Sequence, residues 1–280
     1  MAESAPSDTG KELHTVTSED GTEIGYWVSG EGPPIVLVNG PFGDHTRWDT
    51  LVPYLEPHAT VHAIDRRGRG ASEDHPNWSI EREYEDVAAV VDAVAKSTDS
   101  SVTVYGHSGG GMYAFGAVPK TSNVGRLVLY EGWPPMDPDA LSPPAELMDQ
   151  MHRLLEEDDR EALLELVFRE LVGSDDEELE HVKSQPSWQA RVEAAHTGER
   201  ELRALSELSW DPEQADRVTV PTLLLVGDTD PYPLANEAEA VVDTLHDARI
   251  TVLKGQSHEA DITAPSLVAE AIVEFMDQTD

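Results

Sequence analysis

The stretch VYGHSGGGMY, residues 104–113, places a serine inside a Gly-x-Ser-x-Gly pentapeptide. The residues before it, SVTVY at 101–105, predict a strand that is buried on both faces, and the apolar MYAF at 112–115 predicts the start of a helix. Strand, Gly-x-Ser-x-Gly and helix in that order form the context of a nucleophile elbow, a strained turn that exposes its serine. We therefore expect Ser108 to be a nucleophile; the alternative is a serine in an ordinary glycine-rich turn.

Short runs of β-branched and aliphatic residues recur on both sides of this stretch. Several are apolar at every position, as expected for strands that are covered on both faces. Helical patterns lie between them at 78–95, 233–246 and 265–276. The alternation predicts an α/β fold with a mostly parallel, doubly wound sheet. The predicted strands are 22–28, 34–38, 60–64, 101–105, 126–130, 222–226 and 249–253.

Residues 134–217 break this alternation. The proline-rich stretch PPMDPDALSPPAE leads into several amphipathic helical segments with no convincing strand pattern. We expect a helical insertion that forms a cap over the core, with a purely structural appendage as the alternative. The expected domains are then an α/β core at 1–133 and 218–280 and a helical cap at 134–217.

Reactive side chains also follow other predicted strands. Asp230 follows TLLLVG, His258 follows RITVLKGQS, and Glu131 follows RLVLY. Ligands of open parallel sheets gather at the carboxyl ends of the strands. A serine nucleophile needs an imidazole to take its proton and a carboxylate to orient that imidazole. The sequence therefore predicts a Ser108–His258–Asp230 triad, with Glu131 as the alternative acid.

With these motifs in order, the chain resembles the α/β-hydrolase superfamily, of the type with a helical cap between the sixth and seventh strands. The resemblance covers roughly residues 20–278. It rests on NGPFGDHTRW, AIDRRGRGAS, YGHSGG, LVGDTD and GQSHE. Asp230 matches the last residue of the family's Gly-x-x-Asp turn, whereas Glu131 matches the position after the sixth strand that some relatives use. The chain order serine, acid, histidine also agrees with the superfamily.

The resemblance also implies an oxyanion hole, of which one donor is the backbone N–H of Gly109. The second donor comes from the loop after the third strand, where the family commonly has His-Gly-X. Here the loop is Asn39-Gly40-Pro41-Phe42, and Pro41 has no N–H. We expect the Phe42 N–H to serve instead; a substituting side chain and a defective hole are the alternatives.

The leading function is therefore a serine hydrolase that cleaves an ester-like small acyl substrate through an acyl-enzyme, without cofactor or metal. A C–C bond hydrolase or an acyltransferase would reuse the same triad, and a non-catalytic ligand-binding protein would fit the departure at Pro41. A serine at the elbow argues against haloalkane dehalogenase and epoxide hydrolase chemistry. The glycine runs fit neither Gly-x-Gly-x-x-Gly nor a P-loop, which argues against nucleotide binding.

The net charge is strongly negative, with 55 Asp and Glu against 19 Lys and Arg, giving −36. This charge argues against nucleic acids and anionic membranes as partners, so a small-molecule substrate is expected. There is no cysteine, no signal-peptide pattern and no apolar run of membrane-spanning length, and we expect a cytoplasmic protein. The spread of acidic residues through patterned sequence resembles proteins of halophilic archaea. The oligomeric state is not indicated.

We expect the melting temperature to rise from dilute buffer to near-saturated KCl. Salt at about 1 M shortens the Debye length to about 3 Å and screens the repulsion among the acidic side chains. Circular dichroism melts across a KCl series measure the effect, and sucrose at matched osmolarity controls for solute exclusion. Equal melting temperatures at both ends of the KCl series would contradict the salt-adapted interpretation.

Overall fold

In the computed structural model, residues 10–137, 142–229 and 234–278 are described, with the backbone alone at 234–236. The described strands are β1 Glu12–Thr17, β2 Glu23–Ser29, β3 Pro34–Val38, β4 Thr60–Ile64, β5 Val102–His107, β6 Val124–Tyr130, β7 Thr222–Gly227 and β8 Ala248–Leu253. They form one eight-stranded sheet in the order β1-β2-β4-β3-β5-β6-β7-β8. β2 pairs antiparallel with β1 and β4, and all other pairs are parallel. The predicted mostly parallel sheet is confirmed.

The first strand is the one element of the sheet that the sequence pattern did not predict. Its residues, ELHTVT, are exposed except for the half-buried Val16. The strand pairs along its length with β2, from Glu12 opposite Val28 to Thr17 opposite Glu23. Because neither face is buried, the segment lacks the apolar alternation by which strands are identified.

Helices cover both faces of the sheet. The helices are α1 Val52–Leu55, α2 Ile80–Thr98, α3 Gly109–Ala117, α4 Ala145–Glu156, α5 Arg160–Val167, α6 Asp176–Lys183, α7 Ser187–Ser206, α8 Pro212–Asp216, α9 Leu234–Val242, α10 Ala260–Thr263 and α11 Pro265–Met276. A 3₁₀-helix at His45–Thr50 precedes α1, and a π-helix at Phe168–Val172 follows α5. The predicted helices at 78–95, 233–246 and 265–276 correspond to α2, α9 and α11.

Alternate residues of the central strands enter two separate hydrophobic cores. In β3, Val36 and Val38 pack with residues of α2, α3 and α9, whereas Ile35 and Leu37 pack with residues of the 3₁₀-helix, α1 and α11. Side chains of a strand alternate between faces, so a strand that is apolar at every position supplies both cores. This packing fixes the strand ends that carry the functional side chains.

The described chain between β6 and β7 contains helices and no strand. Helices α4 to α7 have a hydrophobic cluster of their own, which Phe42 from the loop after β3 joins. Helix α7 reaches the elbow, since a Cβ on Gly109 would lie 2.9 Å from Cδ1 of Leu205. Residues 138–141 of the proline-rich stretch lie outside the described residues, and the lid role of these helices stays a prediction. No described helix combines the length and apolarity needed to cross a bilayer.

Candidate active site

Ser108 lies at the junction of β5 and α3, half-buried at the carboxyl edge of the sheet. Its backbone has φ 54° and ψ −134°, a conformation that L-residues rarely adopt. The turn also needs glycine on both sides of the serine. A Cβ on Gly106 would lie 2.5 Å from the Cα of Gly111, and one on Gly110 would collide with the carbonyl oxygen of Val38. The local structure is therefore that of a nucleophile elbow.

Backbone strain gathers at this edge of the sheet. Five described non-glycine residues have positive φ, and three of them follow strand ends: Phe42 after β3 (66°), Ser108 after β5 (54°) and Glu131 after β6 (45°). Such conformations cost about 1–3 kcal/mol each and persist where the surrounding structure enforces them. Their grouping at the carboxyl edge, where ligands of such sheets bind, marks this edge as the candidate active site.

His258, in the loop after β8, is held by a buried carboxylate. Its Nδ1 lies 2.8 Å from Oε2 of Glu131, whose side chain is fully buried, while the imidazole is 20 % exposed. The other carboxylate oxygen, Oε1, accepts a 2.7 Å hydrogen bond from the N–H of Gly227 at the end of β7. The structure therefore brings His258 together with the acid predicted as the alternative. Asp230, the acid predicted first, lies outside the described residues.

His107 connects the elbow to the histidine loop. Its Nδ1 accepts a 3.1 Å hydrogen bond from Nη2 of Arg47, and its Nε2–H donates to the carbonyl oxygen of His258 at 2.7 Å. The rings of His107 and His258 are 4.6 Å apart between centroids. Burial, the charge of Arg47 and the neighbouring His258 hold the pKa of His107 well below its usual value. A neutral His107 thus holds the backbone of His258 by a hydrogen bond. Because His107 directly precedes Ser108, this bond ties the histidine loop to the elbow.

The loop that carries Phe42 lies against the elbow. A Cβ on Gly40 would lie 3.2 Å from Cβ of Ser108, and one on Gly109 would lie 2.9 Å from Cδ of Pro41. Proline followed by a residue with positive φ is the combination of a type II turn. The buried Phe42 ring packs on Gly198 of α7. The loop is therefore placed beside Ser108, and donation by the N–H groups of Gly109 and Phe42 stays a prediction.

Arg66, a fully buried residue after β4, holds the start of this loop. Its Nε donates to the carbonyl oxygen of Asn39 at 2.8 Å, and its Nη2 donates to that of Gly40 at 3.0 Å. The same guanidinium pairs with Glu83 at 2.9 Å and with Glu201 of α7 at 2.5 Å. Sequence reasoning missed this role, although Arg66 lies in the quoted motif AIDRRGRGAS, because its partners are distant in the chain.

The buried side chains of Glu201 and Arg66 stabilise each other's charged forms. Burial opposes ionisation of Glu201, yet Arg66 and Arg69 lower the pKa of its carboxyl to about 2. Burial likewise opposes the charge of Arg66, but Glu201 and Glu83 raise the pKa of its guanidinium above the usual value. Glu201 and Arg66 are therefore both ionised at neutral pH, and their ion pair joins the sheet edge to α7.

Two groups of three side chains have possible metal-ligand atoms within 4.8 Å of one another: His107, His258 and Glu259, and Asp44, His45 and Asp65. In the first group, both ring nitrogens of His107 already bond to the protein, and the Arg47 cation lies beside them. In the second, Nδ1 of His45 bonds Oδ1 of Asp65 at 2.7 Å. Protein contacts therefore occupy ligand atoms in both groups, and neither has the open donors of a metal site.

The eight-stranded sheet, the elbow and the strand-end histidine together have the organisation of an α/β hydrolase. Residues 35–273 match the model of the alpha/beta hydrolase family. The chain is 30% identical over 256 residues to the non-heme haloperoxidase of Rhodococcus erythropolis, an alignment that covers 87% of this chain and 92% of that protein. The chain therefore belongs to the α/β hydrolase family, and the predicted fold class is confirmed.

Solved structures agree with this assignment. An α/β hydrolase from Sphaerobacter thermophilus superposes with a TM-score of 0.79 at 31% identity, covering 94% of this chain and 100% of that one. A thermophilic esterase from Thermogutta terrifontis superposes with a TM-score of 0.75 at 22% identity, covering 95% and 98%. At that identity, the esterase supports the fold alone. Membership of this family makes the chain a hydrolase-type enzyme.

Replacing His107 with glutamine should reduce the loss of stability below about pH 6.5. The fold keeps the pKa of His107 well below its usual value, so in that range the unfolded chain takes up a proton that the folded state refuses. The free energy of unfolding therefore decreases as the pH is lowered below about 6.5, by at most about 1.4 kcal/mol per pH unit for one group. Glutamine keeps a donor and an acceptor but does not titrate.

Urea unfolding at pH values above and below the usual histidine pKa measures this effect as a difference between variant and wild type. The exposed His58, changed to glutamine, is the matched control for loss of a histidine. An identical pH dependence in wild type and His107→Gln would contradict the neutral, buried state of His107.

Proposed function

We propose that this α/β hydrolase cleaves ester-like small acyl substrates with Ser108 as nucleophile, His258 as general base and Glu131 as the orienting acid. The observation that carries the proposal is the pairing of the elbow conformation of Ser108, φ 54° and ψ −134°, with a carboxylate-bound histidine at the same sheet edge. A serine hydroxyl is a weak nucleophile until an imidazole takes its proton.

In the first half-reaction, Oγ of Ser108 attacks the substrate carbonyl carbon while Nε2 of His258 takes the hydroxyl proton. Nδ1–H of His258 donates to Glu131, which stabilises the imidazolium. The oxygen of the tetrahedral intermediate accepts hydrogen bonds from the N–H groups of Gly109 and Phe42. The intermediate collapses, His258 returns its proton to the departing alcohol, and Ser108 remains acylated.

In the second half-reaction, water replaces the alcohol. His258 takes a proton from the water as its oxygen attacks the acyl carbon, and the same two N–H groups receive the oxyanion. Collapse breaks the bond to Oγ, the proton returns to Ser108, and the free acid leaves. No cofactor or metal takes part in this sequence.

Two features support Glu131 over the motif-based choice of Asp230. Glu131 accepts from His258 at 2.8 Å, and its second oxygen is fixed by the N–H of Gly227, which leaves the carboxylate one orientation. The motif places Asp230 three residues beyond the end of β7 at Gly227, outside the described residues. Asp230 stays a prediction from the resemblance, and direct substitution decides between the two.

Pro41 is the one feature of the sequence that favoured a ligand-binding protein over an enzyme. Pro41 removes one N–H, but the positive φ of Phe42 and the contact of the loop with Ser108 support the next amide as a donor. We therefore favour a working oxyanion hole. The C–C hydrolase and acyltransferase alternatives use the same residues and differ in substrate.

The salt-adapted, cytoplasmic setting is a separate proposal, which rests on the amino-acid composition.

A fluorophosphonate probe should label Ser108 of the wild type and fail to label Ser108→Ala. An activated serine alone forms the covalent adduct, so the exposed Ser100, changed to alanine, should leave labelling intact. Intact-protein mass spectrometry in high KCl measures the adduct, and p-nitrophenyl acetate should give a burst of nitrophenol. Ligand binding without labelling or burst would instead establish the non-catalytic alternative.

Changing Glu131 to glutamine should lower kcat by about 10³- to 10⁴-fold, as expected when the orienting carboxylate of a triad is lost. Changing Asp230 to asparagine should leave most of the activity. The two variants are compared by kcat on one ester, with melting temperatures to verify folding. The opposite ranking would transfer the acid role to Asp230 and overturn our assignment of Glu131.

A further inference from the structure

Arg191, in the first half of the cap helix α7, is a buried cation with unused donors. Its side chain is 5% exposed, and neither Nε nor Nη2 has a hydrogen-bond partner in the described part of the chain. Buried polar groups are nearly always hydrogen-bonded, because an unsatisfied donor loses its hydration without compensation. The mechanism proposed above makes no use of Arg191.

The nearest carboxylates are already taken by another arginine. Arg47 donates to Glu259 at 3.0 Å and to Asp261 at 2.8 Å. Arg191 comes no closer than 3.8 Å to Glu259, beyond hydrogen-bond distance. On its other side, the Arg191 guanidinium lies over the ring of Phe168, with Cζ 5.2 Å from the centroid. Arg191 is thus positioned by packing and long-range charge, with its hydrogen bonds left unmade.

The electrostatic setting of Arg191 differs from that of Arg47. Burial and the neighbouring charge of Arg47 lower the pKa of Arg191 to about 10, although Glu259 and Asp261 act in the opposite direction. The carboxylates raise the pKa of Arg47 above its usual value. Arg191 therefore remains a cation at neutral pH but lacks the compensation that Arg47 receives, and an additional anion would stabilise it.

The free donors have the geometry of a carboxylate site. Nε–H and Nη2–H lie along one edge of the guanidinium, and this edge binds a carboxylate through two parallel hydrogen bonds. Arg191 faces Glu259, the residue after His258, and its charge also acts on His107, the residue before Ser108. The edge therefore lies next to the proposed catalytic residues.

We propose that Arg191 binds a carboxylate group of the substrate, so that the preferred substrates are esters that carry a free carboxylate. This inference rests on the proposed function. Both free nitrogens are shielded from solvent in this structure, so the proposal requires the first half of α7 to move away from the loop of His258 while Glu201 in its second half keeps its ion pairs with Arg66 and Arg69. Planar, bidentate pairing favours a carboxylate over a neutral polar group.

Two pairs of esters test the proposal, since the carboxylate can lie on either side of the scissile bond. Monomethyl succinate is compared with methyl 4-methylpentanoate, and acetoxyacetate is compared with isobutyl acetate. In each pair an isopropyl group replaces the carboxylate at similar size. The wild type should prefer the charged member of at least one pair by kcat/KM, measured by pH-stat at constant KCl.

Changing Arg191 to methionine should reduce that preference by about 10- to 100-fold, the range expected for a lost charge-assisted hydrogen bond. Activity on the neutral ester should stay within a few-fold, because methionine preserves packing on Phe168 and Arg47 still pairs with Glu259. Arg203, exposed on the same helix and paired with Glu199, is the matched control; Arg203→Met should leave the preference intact.

Several outcomes would overturn the inference. One is an equal loss of kcat/KM on charged and neutral esters in Arg191→Met, which is expected if Arg191 has only a structural role. Another is a wild type that shows no preference for the charged ester in either pair. The neutral ester also reports folding, since a misfolded variant loses activity on both members. If Arg191→Met misfolds, Arg191→Lys is used instead because it retains the charge. Arg191→Lys should keep part of the preference for the charged ester, and complete loss of that preference would count against the proposal.

A binding measurement separates this inference from the proposed function. Calorimetry with succinate on Ser108→Ala, with and without Arg191→Met, requires no turnover. If succinate binding depends on Arg191 while fluorophosphonate fails to label the wild type, the hydrolase proposal is removed and the carboxylate site is kept. Normal labelling without carboxylate preference or Arg191-dependent binding would remove the carboxylate site alone.

Discussion

The buried guanidinium of Arg66 is the interaction on which the candidate site most depends. It holds the carbonyl oxygens of Asn39 and Gly40 at the edge of the sheet and pairs with Glu201 of α7. Removing one partner of such a buried pair leaves an uncompensated charge, which costs about 3–5 kcal/mol. The position of the loop after β3 and the position of α7 are therefore linked through one side chain.

This link explains how strained backbone persists at the site. Phe42, Ser108 and Glu131 each have positive φ, and each is held by contacts from another element. The Phe42 ring packs on α7, Ser108 is bounded by glycines of the strand and helix, and Glu131 is fixed by Gly227 and His258. The resulting strain is offset by packing elsewhere, so the reactive groups are preorganised before substrate arrives.

Local sequence patterns predicted the parts of this arrangement that depend on local physics. The elbow around Ser108 combines a buried strand, glycines and a helix start within a few residues, and α11 matched its apolar pattern at 265–276. The contact between Glu131 and His258 spans 127 residues and depends on how β6, β7 and the loop after β8 align. The pairing of Arg66 with Glu201 spans 135 residues. A local sequence pattern cannot predict contacts between residues so far apart in the chain. Strand β1 was not predicted because it has no buried face and therefore no apolar alternation.

The distribution of charge links the acidic composition to the site. Fourteen of the 19 cationic residues are arginines, and five of these are buried: Arg47, Arg66, Arg67, Arg69 and Arg191. The surface is therefore even poorer in cations than the composition implies. Salt screens exposed charges far more than buried ones. In a salt-rich medium a surface lysine would lose most of its attraction for an anion, whereas a buried arginine such as Arg191 would retain it. Because salt acts mainly on exposed charges, it screens the repulsion among surface carboxylates while the buried ion pairs around the site keep their strength.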